Sequence, residues 1–417
     1  MRILFTVIAE RTIFCSMVPL AWALRTAGHE VRVACQPAFA EVVTQAGLTA
    51  VPVGRDATIW RMESLDPELL ERARAGLPSP WRVVEDPANP DWEDLREGHR
   101  VAVDEGHKLE NFPLIGGLAS FARSWEPDLV IWEPLTYAGP IAAKACGAAH
   151  ARLLWSIDVF GATREIFRHV RDAYGAADDP VAAWLGSYGR KYGFEFTEDM
   201  TTGQFSIDQV PPSMGLRAED LDYRPMQYVP YGGPASTPDW LRRRSDRPRI
   251  GLTLGTTATE QFGGYVVNVA DTLAELSTLD VEVVATVADP AALGPIPDNA
   301  RVVPFVPLDA LAPTCDVVID HAGPGTFLTV ARHGVPQLTV PWDFDEPELA
   351  RRAAAHGGSL TVRGDQATGV RIREGVERLL AEPSFAARAG DLRDELRGLP
   401  SPNDVAGEIP ALVEKCR

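Results

Sequence analysis

The chain has 417 residues, of which 45% are hydrophobic, and a formal net charge of −18. This length is too great for one ordinary core and predicts two domains of roughly 200 residues each. The negative charge disfavours a nucleic acid partner, and the longest apolar runs are far shorter than the ~20 residues of a membrane helix.

The cysteines stand singly in the sequence, with no CxxC pair among them. This odd, unpatterned set disfavours a disulfide framework or a zinc site and predicts a reducing, cytoplasmic location. The five positions are Cys15, Cys35, Cys146, Cys315 and Cys416.

The first 160 residues alternate short apolar runs with helical patterns, which predicts a parallel sheet covered by helices. The helices end at glycines such as Gly28, Gly47 and Gly147, which suit the left-handed position after a helix. The predicted strands are Ile3–Val7, Val31–Ala34, Leu48–Val53, Asp128–Trp132 and Ala151–Trp155, and the predicted helices are Ser16–Ala27, Phe39–Ala46 and Tyr137–Ala145.

One long segment, Arg55–Pro113, interrupts this alternation. It is rich in charge, proline and tryptophan, which is typical of a functional insertion with irregular helices. Its tryptophans, Trp60, Trp81 and Trp92, are candidates to line an aromatic or polyketide pocket, with ordinary core packing as the alternative.

A second strand and helix series begins at Arg249, after a stretch dense in turn formers. Its predicted strands are Ile250–Leu254, Val281–Thr286, Val302–Phe305, Val317–Asp320 and Gln337–Val340, and a helical tail starts at Thr368. We therefore expect an α/β protein of two doubly wound, Rossmann-like domains that face each other across a cleft. The boundaries are an N-terminal domain at 1–228, a linker at 229–248 and a C-terminal domain at 249–417, whose final helix packs back on the N-terminal domain.

The segment 317–327 carries the strongest functional signal. A buried strand ends at Asp320, and a helix begins near Gly325 and Thr326 after the glycine-bearing turn His321–Pro324. Glycines permit close approach of the backbone to a ligand, and the helix start offers N–H groups and a positive dipole end. These features predict a diphosphate site, with His321 as an added donor. The segment lacks the P-loop spacing, and the turn after the first strand has no glycine, so a nicotinamide dehydrogenase is disfavoured.

This segment, with His333–Gln337 and Pro341–Asp345, resembles the donor-binding signature of GT-B glycosyltransferases. The segments Val18–Arg25, Ala27–Val33, Pro127–Pro134 and Pro400–Pro402 are similar to those of the antibiotic deoxysugar transferases of macrolides and anthracyclines, within glycosyltransferase family 1. The resemblance covers essentially the whole chain. It implies transfer, with inversion, of a deoxysugar from a nucleoside diphosphate, usually thymidine diphosphate, to a polyketide-type aglycone.

The resemblance also implies roles for individual residues. Diphosphate would be held by the residues at the ends of two strands, namely Gly255, Thr256, His321, Gly323, Gly325 and Thr326. Phe305 and Val306 would line the nucleoside base, and Asp345 and Glu346 would contact the donor sugar. The family often has Gln where this chain has Glu346, which predicts an unusual, amino-bearing sugar.

We expect no cofactor and no metal. Asp343 and Asp345 spell the DxD pattern of a metal site in another architecture, but they follow a phosphate turn that neutralises the leaving group without a cation, and no other ligand cluster accompanies them.

The chain departs from the family at the residue that deprotonates the acceptor. Relatives carry a histidine in the loop after the first strand, and an alignment without gaps places Ile13 there. Three explanations remain open. Asp158, just after a strand, serves as the base, with helix capping as its alternative role; or the acceptor is a phenol or an electron-rich carbon; or the chain is a catalytically inactive partner subunit.

Two other functions share this architecture: a non-catalytic, acceptor-binding subunit of an active transferase, and a nucleotide-sugar epimerase. The resemblance further implies a cytochrome-P450-like activator, which we expect on the segment Arg55–Pro113. A homodimer is also expected.

Overall fold

The computed structural model describes residues 1–56, 76–243, 245–255, 265 and 267–416. Two parallel sheets, one in each half of the chain, form its framework. The first sheet has seven strands in the order β3-β2-β1-β4-β5-β6-β7, and the second has six in the order β10-β9-β8-β11-β12-β13. The α/β, doubly wound fold class is therefore confirmed.

The strands of the first sheet are β1 (Arg2–Thr6), β2 (Glu30–Cys35), β3 (Ala50–Pro52), β4 (Leu129–Trp132), β5 (Ala149–Leu154), β6 (Ser206–Asp208) and β7 (Tyr223–Pro225). Those of the second are β8 (Arg249–Thr253), β9 (Glu282–Thr286), β10 (Ala300–Val303), β11 (Val317–Asp320), β12 (Gln337–Thr339) and β13 (Ser359–Thr361).

The α-helices of the first half within the described residues are α1 (Arg11–Thr26), α2 (Ala40–Gln45), α3 (Trp92–Val101), α4 (Lys108–Trp125), α5 (Ala138–Cys146), α6 (Val159–Ala173), α7 (Pro180–Ser187), α8 (Gly189–Tyr192) and α9 (Asp199–Thr202). A π-helical segment, Ala102–His107, joins α3 to α4, and a short 3-10 helix spans Trp81–Glu85.

The second half contributes α10 (Val269–Leu276), α11 (Leu308–Leu311), α12 (Pro324–Ala331), α13 (Glu346–His356), α14 (Gly369–Ala381), α15 (Pro383–Gly398) and α16 (Pro402–Cys416). None of the helices in the described ranges is long and apolar enough to cross a membrane.

The strands are apolar on both faces because helices cover both sides of each sheet. In β1, Ile3 and Phe5 pack into one core cluster, and Leu4 between them packs into another. All four residues of β4 are buried. This continuous burial is typical of a parallel sheet and explains why the central strands appear in the sequence as unbroken apolar runs.

Helix α16 lies against the first sheet's core although it comes last in the chain. Its Val405, Ile409 and Leu412 join the cluster that contains Phe14 of α1 and residues of β1. A further apolar cluster joins the two halves: it includes Phe167 of α6 as well as Phe327 and Leu328 of α12.

The structure corrects several element boundaries. Strand β10 ends at Val303, two residues before the predicted end at Phe305, and β6, β7 and β13 were missed in the sequence. Each missed strand has only three residues, which is too short to produce a recognisable alternation of apolar and polar residues.

Candidate functional site

The strand order of the second sheet places a crevice at the ends of β8 and β11. From β8 the chain continues to β9 and β10 on one side, and from β11 it continues to β12 and β13 on the other side. Thr253 of β8 pairs with Asp320 of β11 at the carboxyl ends of the two strands. Ligands of open α/β sheets bind at such switch points. The segments that continue from the two strands, Leu254–Gly255 and His321–Gly323, therefore lie side by side at the mouth of this crevice.

The imidazole of His321 lies between two glycine backbones. A Cβ atom on Gly255 would be 2.7 Å from Cε1 of His321, and a Cβ atom on Gly323 would be 2.9 Å from Cδ2 and Cε1 and closer still to Nε2. Real Cβ atoms do not approach other atoms so closely, and Gly255 also has a left-handed φ of +75°. Both glycines are thus needed to admit the ring.

A strained turn connects β11 to α12. Ala322 has a φ of +63°, which is unusual for a residue with a side chain, and its N–H donates to Oδ1 of Asp320 at 2.7 Å. Burial raises the pKa of Asp320 to about 7. Asp320 thus holds the turn in place from beneath.

Helix α12 begins at this turn. Gly323 is its N-cap and Pro324 its first residue, a position that suits proline because the missing N–H would have no helical partner. The first helical bond runs from the Phe327 N–H to the Gly323 carbonyl at 2.9 Å. The N–H groups of Gly325 and Thr326 precede that bond and face the end of the helix, where they can bind an anion.

Burial lowers the pKa of His321 to about 4, and the nearby Thr253 backbone opposes this shift only in part. The ring is therefore neutral near pH 7. Its Nε2 lies 3.5 Å from Oε1 of Glu346, the first residue of α13.

The carboxylate of Glu346 folds back over its own turn. Its Oε2 accepts hydrogen bonds from the N–H groups of Trp342 (3.2 Å) and Asp343 (3.1 Å). Burial, and then the charge of Asp343, raises the pKa of Glu346. These contacts place Glu346 beside His321. The expected contact of Glu346 with the donor sugar stays a prediction, and so does the amino-bearing sugar.

Asp345 lies at the N-terminus of α13 and is 4% exposed. Its Oδ2 accepts a short hydrogen bond from the Ser156 hydroxyl, which belongs to the segment after β5 in the other half of the chain. Burial raises the pKa of Asp345 to about 6, and the Ser156 bond opposes this effect.

The two predicted base-binding residues follow β10. Phe305 is 55% exposed, which leaves its ring free to stack on a planar ligand, whereas Val306 is 4% exposed and packs into an apolar cluster with Leu311 and Val318. An exposed large apolar side chain is a candidate ligand surface. Of these two residues, only Phe305 offers one.

Asp158 is fully engaged by other groups. Arg152 donates to both of its oxygens, at 3.0 and 2.6 Å, and both side chains are fully buried. The Tyr223 hydroxyl donates at 2.7 Å, and the Gly161 N–H donates at 2.8 Å as Asp158 caps α6. The geometry favours the capping alternative over the catalytic one.

Ile13 and Trp81 lie in the N-terminal half. Ile13 is a buried residue in the first turn of α1. The Trp81 ring contacts Phe344 of the turn 343–345 (centroids 5.4 Å apart) and Phe160 of α6 (5.7 Å). Trp81 thus borders the turn that bears Asp345. Trp60 and Thr256, the remaining predicted site residues, lie outside the described residues.

Three residues near the crevices escaped the sequence reasoning. Ser156 is one. Tyr228 is another: its hydroxyl donates to the Gly325 carbonyl at 3.1 Å from the segment before the linker. The third, Glu133, is buried at the end of β4, where it accepts from the Leu135 N–H at 2.8 Å. Only Glu133 carried a signal in the sequence, as a charged residue directly after an apolar strand.

No group of three or more histidine, cysteine, aspartate or glutamate side chains within the described part of the chain is arranged to hold a metal ion.

Two doubly wound sheets, with a glycine-bearing turn and a helix start at the switch point of the second, are the architecture of the GT-B class of glycosyltransferases. The solved structure of glycosyltransferase VinC in complex with DTDP is similar over 100% of both chains, with a TM-score of 0.87 and 39% identity. The chain belongs to the erythromycin biosynthesis protein CIII-like family: the N-terminal domain model matches residues 22–255 and the C-terminal domain model matches residues 270–412.

Curated relatives agree with this membership. The 10-deoxymethynolide desosaminyltransferase of Streptomyces venezuelae is 41% identical, over 100% of this chain and 98% of the relative. The aclacinomycin-T 2-deoxy-L-fucose transferase of Streptomyces galilaeus is 39% identical, over 100% of this chain and 97% of the relative. The chain is a glycosyltransferase of antibiotic biosynthesis, as the sequence predicted.

Proposed function

We propose that the enzyme transfers a deoxysugar from thymidine diphosphate to a polyketide-type aglycone and inverts the anomeric centre. The observation that carries the proposal is the His321 ring, held between Gly255 and Gly323 at the start of α12. The names of the relatives, a desosaminyltransferase and a 2-deoxy-L-fucose transferase, support the sugar class, and the DTDP complex of VinC supports the nucleotide.

In the proposed reaction, the bond between the anomeric carbon and the diphosphate oxygen breaks, and its electron pair goes to the diphosphate. The N–H groups of Gly325 and Thr326, with the ring N–H of neutral His321, stabilise the charge that develops there. The acceptor oxygen attacks the anomeric carbon from the opposite face, which inverts that centre, and its proton passes to solvent water.

The acceptor side lacks the usual histidine, and Ile13 is buried in its place. The engagement of Asp158 by Arg152 and Tyr223 supports the second explanation, an acceptor that needs less help from a base. A phenol, which ionises near pKa ~10, or an electron-rich aromatic carbon meets this requirement.

We also propose that a cytochrome-P450-like helper binds at the end of the segment Arg55–Pro113. On the first turns of α4, Phe112 is 63% exposed and Leu109 is 39% exposed, and such neighbouring apolar side chains suit a protein contact. The proposal would be supported if activity is lost on purification, if the helper restores it, and if Phe112→Ser prevents the restoration. Full activity of the isolated chain would refute it.

The remaining proposals concern the setting of the enzyme: a cytoplasmic location, a homodimer, and no metal requirement. The single, free cysteines support the first. Cell fractionation tests the location, and light scattering of the purified chain tests the homodimer. Turnover in the presence of EDTA tests the metal requirement.

The function is tested by incubating the purified chain, with and without a helper, with thymidine-diphosphate deoxysugars and a panel of phenolic and aliphatic aglycones. We expect a glycoside of inverted anomeric configuration, detected by mass spectrometry and NMR, and no product with His321→Ala. Donor binding without turnover on any aglycone would favour the partner-subunit function, and sugar isomerisation without an acceptor would favour the epimerase.

A further inference from the structure

The turn that bears Asp345 is held from the opposite domain. The Ser156 hydroxyl, just after β5 in the first sheet, donates to Oδ2 of Asp345, and both residues are buried, at 3% and 4% exposure. The two residues are 189 positions apart in the chain. The bond therefore links the end of one sheet directly to the donor side of the other.

A second contact holds the same turn. Phe344, directly before Asp345, has a φ of +34°, which is unfavourable for a bulky side chain and requires support from its surroundings. Its ring packs against Trp81 (5.4 Å) and Phe160 (5.7 Å), both in the N-terminal half. The aromatic contacts fix the backbone of the turn, and the Ser156 bond fixes the orientation of the Asp345 carboxylate.

We propose that Ser156 is a positioning residue for donor-sugar recognition: its hydroxyl orients the Asp345 carboxylate, so that the N-terminal domain takes part in selecting the sugar. This inference rests on the proposed contact between Asp345 and the sugar hydroxyls. It assigns no role to Ser156 in holding the diphosphate, which lies at the separate turn 321–326.

The bond also controls the protonation of Asp345. Burial raises the pKa of Asp345 to about 6, and donation from Ser156 holds it lower than burial alone would. The titratable groups around it are Asp343 and Glu346 of the same turn and His321 beside Glu346; from the N-terminal half, the Ser156 hydroxyl contacts it. Loss of the hydroxyl removes a group that favours the charged form, so the pKa of Asp345 should rise.

The test compares Ser156→Ala and Ser156→Cys with the control Ser213→Ala. Ser213 also donates to a carboxylate across the domains, with its hydroxyl 2.5 Å from Oε2 of Glu395, but at an exposed site. The control therefore removes a serine–carboxylate bond between the domains without touching the donor turn. Cysteine keeps nearly the shape of serine but is a weak donor, so it separates hydrogen bonding from packing.

Calorimetry with thymidine diphosphate and with its sugar conjugate gives the first readout. We expect Ser156→Ala to bind thymidine diphosphate like the wild type and to bind the conjugate roughly tenfold more weakly, with Ser156→Cys close to Ser156→Ala. The second readout is kcat/KM for the donor against pH, whose acid limb should move to higher pH in both variants. Ser213→Ala should match the wild type in both measurements.

Equal conjugate affinity and an unmoved acid limb in Ser156→Ala would overturn the inference, as would wild-type behaviour of Ser156→Cys, which indicates packing alone. Failure of the wild type to bind thymidine diphosphate would instead refute the proposed function, and this inference with it.

Discussion

The buried pair of Arg152 and Asp158 gives a prediction that separates structure from catalysis. Asp158→Asn keeps the shape of the side chain but removes its charge, so the fully buried guanidinium of Arg152 loses its counter-ion. Asparagine also replaces one accepting oxygen with a donor, in a site where Arg152, Tyr223 and the Gly161 N–H all donate.

Loss of one partner from a buried ion pair costs about 3–5 kcal/mol, and a typical domain has a free energy of unfolding of only about 5–15 kcal/mol. We therefore expect a large fall in the urea midpoint of the N-terminal domain, followed by circular dichroism and tryptophan fluorescence. The matched control is Asp172→Asn, which breaks the exposed pair with Arg171 (2.7 Å; 65% exposure of the Asp172 side chain) and should change stability by less than about 1 kcal/mol.

Turnover is measured at a low temperature, at which Asp158→Asn remains folded. If the pair is structural, kcat of the folded variant stays within a few-fold of the wild type. A variant of wild-type stability whose kcat falls by roughly 10²- to 10⁴-fold, the usual worth of a general base, would refute this reasoning and restore Asp158 as the base.

Two further predictions concern other sites. Gly323→Ala should weaken thymidine diphosphate binding, because the new Cβ displaces the His321 ring. The double variant with His321→Ala should bind no worse than His321→Ala alone. The control Gly407→Ala, whose Cβ meets no atom within 4 Å, should bind normally. Additive losses in the double variant would contradict the steric account. Burial lowers the pKa of His107 to about 3, so the unfolded chain binds an extra proton below about pH 6.5 and the folded state loses stability as the pH falls. His107→Phe cannot be protonated, so its free energy of unfolding should rise relative to that of the wild type as the pH falls from about 6 to about 4, by up to about 1.4 kcal/mol per pH unit. Urea unfolding measures this difference, and a pH-independent difference would contradict the assignment.

The donor side of the fold could be predicted because its signals are local. The apolar run Val317–Ile319, the glycines and the proline of the turn all lie within a few residues of His321, and each has one physical use there. The structure adds why Gly255 is needed: its neighbour in space is the His321 ring, 66 positions later, which the sequence alone did not reveal.

Asp158 and Ser156 could not be interpreted from the sequence because their roles depend on distant partners. The role of Asp158 depends on Tyr223 and on the inward orientation of Arg152 on β5. The role of Ser156 depends on Asp345 on the other domain. A strand-end aspartate and a loop serine are otherwise common residues with several uses. The bonds from the Trp342 and Asp343 N–H groups to Glu346 could not be read from the sequence either, and the contact of Glu346 with a donor sugar stays a prediction.

The central claim is that His321, at the start of α12, binds the diphosphate, and calorimetric titration of thymidine diphosphate into the wild type and His321→Ala tests it most directly. The account predicts roughly 10- to 100-fold weaker binding by His321→Ala, the usual loss for a hydrogen bond to a charged group, and unchanged binding by the control His169→Ala, whose side chain is exposed on α6. Equal affinity of the wild type and His321→Ala would contradict the account.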